Sequence, residues 1–420
     1  MTPPRPVSPP AAAAVRRVLR ARRRAVGASL GALPVVNLVV LELGLAVGLV
    51  LIAVDLALWP VSAGVVLAAL VVALLRWHGR WLTQWIALTA RYLLRSHTRV
   101  TRQAAGEAGA DIVGPEDARV ALLRLAVPDL VVAHGTDHER RPVGLAWHEG
   151  TWTAVLLVEP PQELVQKVVG TPNLPLGALE PCLEDRGVVL DAIGVIWHCY
   201  PGSVSLPPNA PALASYLEVL GPLPATARRT TWVAVRLDPR RCPAAVRERG
   251  GGVVGAHRAL IGALSRVRSA LDARGVQTRP LDVDELLRAG VSAADLQSVA
   301  GSPQPVALRE RWTGVTAGGV GHASYAVAGW PSRSAPQSLN ALTGVRALSA
   351  TVALSISPST EPGQVGLRGL VRVSARTPSE LEGADQRLHA LGQHLGIRLT
   401  PLRGLQLAGL AATLPLGGSA

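Results

Sequence analysis

The chain has 420 residues, 49% hydrophobic and 17% charged, and carries a formal net charge of +13. That length exceeds what one hydrophobic core usually holds, so a membrane segment plus one large or two medium domains is expected. The charge does not describe a nucleic-acid binder: seven Arg in residues 1–26 and six in residues 76–102, with no acid in either stretch, account for it, and residues 103–420 keep 29 basic against 27 acidic side chains.

Phe is absent, Met occurs once and Lys occurs once, at Lys167, against many Arg, Ala, Gly and Pro. This is the bias of GC-rich codons and of a high-GC bacterium such as an actinomycete. Cys182, Cys199 and Cys242 are odd in number, widely spaced and without a CxxC pair, which argues for buried thiols over a disulfide framework or a zinc site.

Residues 1–26 form a basic N-terminal segment. Residues 27–102 read as a transmembrane hairpin with an interfacial helix. Val35 to Val54 carries one charge, Glu42, over the length a helix needs to cross about 30 Å of hydrocarbon, and Trp59 to Trp77 is apolar until Arg76. Asp55 and Pro60 lie in the short connection. A signal peptide is rejected, because the first apolar run is too long and no small-residue cleavage motif precedes the second. Arginine flanks the hairpin on both outer sides and is absent from its turn, so two spans in the plasma membrane with both termini cytoplasmic are expected.

Beyond the second run, Trp81, Leu82, Trp85, Ile86, Tyr92 and Leu93 recur at helical spacing, interleaved with Arg91, Arg95 and Arg99. Such a helix either follows the membrane surface or packs on the soluble domain. Glu42 lies a third of the way into the first span, where an ionised carboxylate costs about 2.5 kcal/mol or more. It therefore bonds a polar group on another subunit's helix, takes a proton, or reaches interfacial water. Glu42, Trp59, Arg76, Trp77, Arg80, Trp81 and Trp85 are the candidate membrane and assembly residues.

Residues 103–118 are polar and Gly-rich, a linker. Residues 119–420 read as a mixed α/β cytoplasmic domain, so the fold class is a membrane-anchored α+β protein. Pro142 to Trp147 and Thr151 to Val158 flank the turn His148-Glu149-Gly150, and further strands are expected at Val188 to Cys199, Thr231 to Leu237, His322 to Ala328, Ala350 to Ser357 and Val365 to Ser374. Pro243 to Arg274 reads as helices broken at Gly250-Gly251-Gly252, and Ser379 to Leu395 as another helix. Gly275 to Leu281 and Gly396 to Leu402 echo one another after a helix, each with Gly at a C′ position and Pro-Leu at a strand exit. Two related βαβ-like units are expected.

No constellation qualifies as catalytic, cofactor-binding or metal-binding. The only lysine lacks the glycines of a P-loop, so ATP-driven chemistry of that class is excluded. Gly250-Gly251-Gly252 with Arg249 could hold a phosphate, but Gly-rich breaks between helices are common. Asp282 and Asp284 match the acidic pair of a metal-bound nucleotide sugar, yet they lead into Glu285-Leu286-Leu287 and read more simply as a helix cap. His134 and His138 sit in a loop with Gly135 and Thr136. His198 and Cys199 are neighbours on a strand and point to opposite faces.

In order, the paired spans with following Trp and Arg, Thr151-Trp152-Thr153-Ala154-Val155, Arg229 to Arg236, Arg249-Gly250-Gly251-Gly252, Trp330-Pro331 and Ala412 to Gly418 resemble EccE, a membrane subunit family of actinobacterial type VII (ESX) secretion systems. The resemblance implies a non-enzymatic structural and assembly subunit without a cofactor. Its implied partners are EccB, the EccC ATPase, EccD and the lipid bilayer. The competing expectation is a membrane-anchored glycosyltransferase-like or nucleotide-binding enzyme built on Asp282 and Asp284 or on the glycine loop.

Overall fold

A computed structural model describes residues 29–30, 33–77, 80–101, 117–160, 174–200, 228–300, 304–331, 335–359 and 364–418. Lys167 and the expected linker, except at its last residues, lie outside these. The chain divides into two units, Met1–Ser96 and His97–Ala420.

In the first unit, α1 (Val35–Val54) and α2 (Trp59–Leu74) are joined by a 3-10 turn over Leu56–Leu58. Asp55 starts that turn by accepting a bond from the Ala57 amide at 2.9 Å, and Pro60 fits the first turn of α2, where no amide donor is needed. The stretches Val35–Val54 and Leu56–Leu74 are long and apolar enough to cross a membrane, and they are only 17% and 11% buried. The core helices of a soluble protein would be covered far more fully. A two-residue ribbon pairs Arg76 with Trp81 and Trp77 with Arg80, and α3 (Leu82–Leu94) follows.

Among the described residues, the second unit is built on one 13-stranded sheet. Its strands are β1 (Thr98–Val100), β2 (Val131–Thr136), β3 (Pro142–His148), β4 (Thr151–Val158), β5 (Ala192–Tyr200), β6 (Arg228–Leu237), β7 (Thr278–Pro280), β8 (Ala307–Glu310), β9 (Val315–Ala317), β10 (Val320–Gly329), β11 (Ser349–Pro358), β12 (Val365–Ala375) and β13 (Arg398–Pro401). The order is β1-β8-β9-β10-β12-β11-β5-β6-β4-β3-β2, with β7 added beside β4 and β13 beside β10. Every pairing is antiparallel. The expected hairpin of β3 and β4 is present, with Glu149 and Gly150 both at positive φ in its turn.

The segment expected as one strand from Val188 to Cys199 is two. Val188–Val189 pairs with Glu184–Asp185, and β5 starts only at Ala192. The break is fixed by Leu190 bonding back to the Leu183 carbonyl and by Asp191 bonding the Arg236 carbonyl.

Among the described residues, the α-helices of this unit are α4 (Ala118–Ala126), α5 (Pro243–Glu248), α6 (Gly252–Asp272), α7 (Val283–Ala293), α8 (Ala335–Ala341), α9 (Pro378–His394) and α10 (Gln406–Ala412). Strand alternation gives the sheet two apolar faces. One face, with Val195, Val233, Val352 and Val371, buries Leu260, Leu264, Val267 and Leu271 of α6 and Leu388 of α9. The other, with Val155, Ile196, Trp232 and Leu370, buries α4, α7 and α10 through Leu123, Leu286, Leu287 and Leu410.

The order of strands reads alike from either side of the β5–β11 pair. On one side β6 and β7 flank β4 and are joined through α6; on the other β12 and β13 flank β10 and are joined through α9. Gly275 and Gly396 end these two helices alike, at φ 75° and 70°, and the next amides bond back to Leu271 and Gly392.

Candidate functional site

The seam between α1 and α2 is made of small and polar residues. Asn37, Gly44 and Gly48 are the buried residues of α1, and Ser62 and Ala73 those of α2. A Cβ at Gly44 would lie 2.1 Å from the Ala69 Cβ, and one at Gly48 2.7 Å from a Val66 methyl, so only glycine permits this approach. Ser62 donates to the Gly48 carbonyl at 2.7 Å, Asn37 to the Ala73 carbonyl at 2.8 Å, and Thr83 of α3 to Asn37 at 2.5 Å. These bonds satisfy the polar groups of the seam and tie α3 to the hairpin.

The apolar surface points outward. Outside this unit, the exposed large apolar side chains among the described residues are Val100, Val131, Val253, Val254 and Leu367, whereas α1 and α2 expose Leu43, Leu49, Val54, Trp59 and Leu67 among many others. Glu42 is exposed on α1 with no ion pair or hydrogen bond among the described residues, away from the glycine seam. Trp59 is 64% exposed at the start of α2. Arg76 lies over the Trp81 ring at 4.8 Å, and Trp85 is half-buried on α3. For Trp77 and Arg80 the structure gives the backbone ribbon.

In the domain, the groups weighed for chemistry serve the fold. The Asp282 carboxylate accepts from the Glu285 amide at 2.7 Å as the cap of α7, and Asp284 pairs with Arg119 at 2.6 Å. Gly250, Gly251 and Gly252 all take positive φ to reverse the chain between α5 and α6; Gly251 bonds the Val246 carbonyl, while Arg249 and Arg258 donate to the Ala245 and Arg249 carbonyls. Cys182, Cys199 and Cys242 are buried free thiols, the first two with their pKa pushed up by burial. His198 faces Thr351 at 2.9 Å, on the opposite side of β5 from Cys199.

A cleft of about 440 Å³ opens between α7 and strands β5 and β6, with His198, Tyr200, Thr230 and Trp232 as its floor. Its arginines are already matched: Arg119 holds Asp117 and Asp284, Arg279 holds Glu285 at 2.7 Å, and Arg288 holds Asp284 at 3.4 Å. The bonds from Arg119 keep Asp117 and Asp284 below the usual carboxylate range.

From that floor a buried polar row runs across the sheet. His198 of β5 is opposite Thr351 of β11, Thr351 is opposite Arg372 of β12, and Ser374 is opposite both Ser349 of β11 and His322 of β10. Asp295 enters the row from beyond α7. Ser349 donates to it at 2.8 Å, His322 lies 3.7 Å away, and Arg372 binds Thr351 at 2.9 Å and the Ala293 carbonyl. Burial opposes the Asp295 charge, but the surrounding His322, Arg372 and His198 and the Tyr200 hydroxyl hold its pKa below the usual range. Burial, then Arg372, pushes His322 down to about 3, so its ring is neutral, and the buried Arg372 cation acts on Asp295 through its field and not through a direct ion pair.

Three similarities bear on what this arrangement belongs to. A family model described as "Putative type VII ESX secretion system translocon, EccE" matches residues 225–327, from the start of β6 into β10. The ESX-5 secretion system protein EccE5 of Mycobacterium marinum is 27% identical over 300 residues, covering 67% of each chain. The ESX-1 proteins EccE1 of Mycolicibacterium smegmatis and Mycobacterium tuberculosis are 38% identical over 73 residues and 28% identical over 221 residues.

Over these stretches the chain is similar to EccE proteins. It covers 17% and 51% of its own length in the two EccE1 matches and spans 16% and 42% of those relatives. The EccE segment carries β6, both helices around the glycine turn, β7, α7, Asp295 and His322. Sequence reading singled out Glu42 and the tryptophans and did not find the hairpin seam or the polar row. The spacing Gly44-x-x-x-Gly48 is a sequence signal for the first. For the second, the signal is polar residues on alternate positions of core strands, Ser349 and Thr351, Arg372 and Ser374, His322 and Ser324.

Proposed function

We propose that this chain is a non-enzymatic assembly subunit of a type VII (ESX) secretion machine, anchored in the plasma membrane by the α1–α2 hairpin. The observation that carries the reading is the inverted burial of the hairpin on a chain similar to EccE proteins: polar and glycine residues inside, Leu and Val outside. Such a hairpin is soluble only in lipid or against other apolar helices. Arginine on both flanks sets both termini on the cytoplasmic side, and α3 with Arg91 and Arg95 follows the membrane surface.

Its partners are other secretion components, EccB, the EccC ATPase and EccD, which the resemblance implies. Glu42, outward on α1, is a contact for a partner helix. Energy comes from the ATPase, since Asp282, Asp284 and the glycine turn are spent on a cap, an ion pair and a chain reversal. The matching strand orders support reading the two halves of the domain as related copies.

Co-purification from native membranes in a mild detergent tests the reading. An ATPase of the secretion system is expected to accompany the chain; recovery of the chain alone overturns the assignment. Labelling of a cysteine placed near Ala420 by an impermeant reagent on intact cells overturns the topology.

A further inference from the structure

The two halves of the sheet can be matched residue by residue from their pairings. Leu157 of β4 is opposite Trp232 on one side and Arg279 on the other, as Ala326 of β10 is opposite Leu370 and Thr400. Stepping back equally along both strands puts Thr153 and His322 in equivalent places, with Arg236 and Ser374 as their partners on β6 and β12. These in turn are opposite Ala192 of β5 and Ser349 of β11. The pair Ile196–Ala353 lies at the centre of the match, since Ile196 is opposite Trp232 and Ala353 is opposite Leu370.

Each of these equivalent places is filled by chain from the opposite half. Asp295, which follows α7 of the first half, sits against His322 and Ser349 of the second, and Ser349 also bonds Ser374. Gly417 and Gly418, which follow α10 of the second half, sit against Thr153 and Arg236 of the first: a Cβ on Gly417 would lie 1.9 Å from the Thr153 hydroxyl, and Arg236 donates to the Gly418 carbonyl at 3.3 Å. Asp295 and Gly417 share a left-handed backbone, at φ 56° and 81°, and each has a buried leucine beside it, Leu296 and Leu416. Sharing of place and backbone is not expected of two unrelated loops.

We infer that the two halves are interlocked by an exchange of arms, the Asp295 arm of the first half seated in the second and the Gly417-Gly418 arm of the second seated in the first. Neither half opens without withdrawing an arm from the other, which makes the domain a single stiff platform. The inference rests on the reading of the halves as related copies, and it stands or falls separately from the secretion assignment, because it is read from the protein's own protection pattern and not from what co-purifies.

Amide hydrogen exchange on the full chain in detergent micelles tests it. Asp295→Asn removes the charge from the first arm, and exchange is expected to rise at least about tenfold in β10, β11 and β12, the change that losing a charge-assisted hydrogen bond produces. Gly417→Val disturbs the second arm, and the rise is expected in β4 and β6. If Gly417→Val does not accumulate, Gly417→Ala, which adds only the Cβ, is read in its place; either crossing alone decides. A rise confined to the half that carries the substitution, or spread evenly over both, overturns the interlock.

Discussion

In the hairpin Asn37, Ser62 and Thr83 are buried while Leu49 and Leu43 are 73% and 60% exposed; in the domain Leu123, Leu130, Leu145 and Leu156 are fully buried and most charged side chains lie outside. Both units hide polar groups, but for different reasons. In the hairpin the hidden groups are neutral and small, and they let two helices approach where lipid offers no hydrophobic drive between them. In the domain the hidden groups include two opposite charges, Asp295 and Arg372, which act on one another without direct contact across a sheet whose apolar area already drives folding. The difference teaches where stability is vulnerable: the domain to loss of a counter-charge, the hairpin to added volume.

The largest expected effect follows from these two charges. Arg372→Met leaves Asp295 buried without its cation and is expected to cost about 3–5 kcal/mol in urea unfolding of the domain. Asp295→Asn combined with Arg372→Met removes both charges and is expected to recover most of that loss. A single-variant loss under about 1 kcal/mol would show that water reaches the pair, and the contrast between the units would then fail.

The hairpin counterpart is steric. Gly44→Leu forces a side chain into the Ala69 backbone region, and overpacking of this kind typically costs about 1–3 kcal/mol. Cysteines introduced at Asn37 and Ala73, now bridged by a 2.8 Å hydrogen bond, are expected to cross-link readily in membranes and poorly once Gly44→Leu is added. Undiminished cross-linking would mean that the helices do not depend on the glycine seam.

Much of this was legible in advance. Length and charge asymmetry placed the hairpin, alternation placed β3, β4, β6, β10, β11 and β12 to within a few residues, and the Gly-Val and Gly-Ile steps after α6 and α9 marked their ends. What stayed hidden depends on contacts distant in sequence. Val188 to Cys199 has the composition of one strand, and the bonds of Leu190 to Leu183 and of Asp191 to Arg236 break it. Asp295 reads as an ordinary loop acid until the sheet brings Ser349 and His322 to it. The 13-strand order is a product of pairing and leaves no local trace.

Acid provides a graded test of the domain's buried histidines. His322 is held down to about 3 by burial and Arg372, and His257, edge-on to Trp152 at 4.2 Å, to about 4 by burial. Both are neutral when folded and take a proton when unfolded, near their ordinary value of about 6.5. Stability is therefore full above that value and lost as pH falls toward 4 and then 3, by up to about 1.4 kcal/mol per pH unit for each ring. The depressed pKa of Asp295 adds its own loss only below the ordinary aspartate range. His257→Asn is expected to flatten the slope between pH 6.5 and 4 in thermal melts, and an unchanged slope there would remove His257 from the account.

The smallest expected effect concerns Glu42, the one carboxylate that the hairpin carries on its outward face. A lone lipid anchor gains nothing from it, and replacing it by Leu makes insertion easier by a few kcal/mol, on insertion scales where charged residues cost about 2.5–3.5 kcal/mol at mid-span. If Glu42 bonds a neighbouring helix, Glu42→Leu keeps the protein in the membrane and lowers its recovery in the large complex. Glu42→Gln, which retains hydrogen-bonding groups without the charge, keeps most of it. Intramembrane polar contacts are worth about 0.6 kcal/mol on average and seldom above 1.7, so partial loss is expected, read as complex yield across a series of detergent strengths. Equal yields for the Leu, Gln and unaltered proteins would place the assembly contacts elsewhere. The outward face of α1 would then be a lipid surface, and the inverted hairpin would differ from the domain only in its solvent.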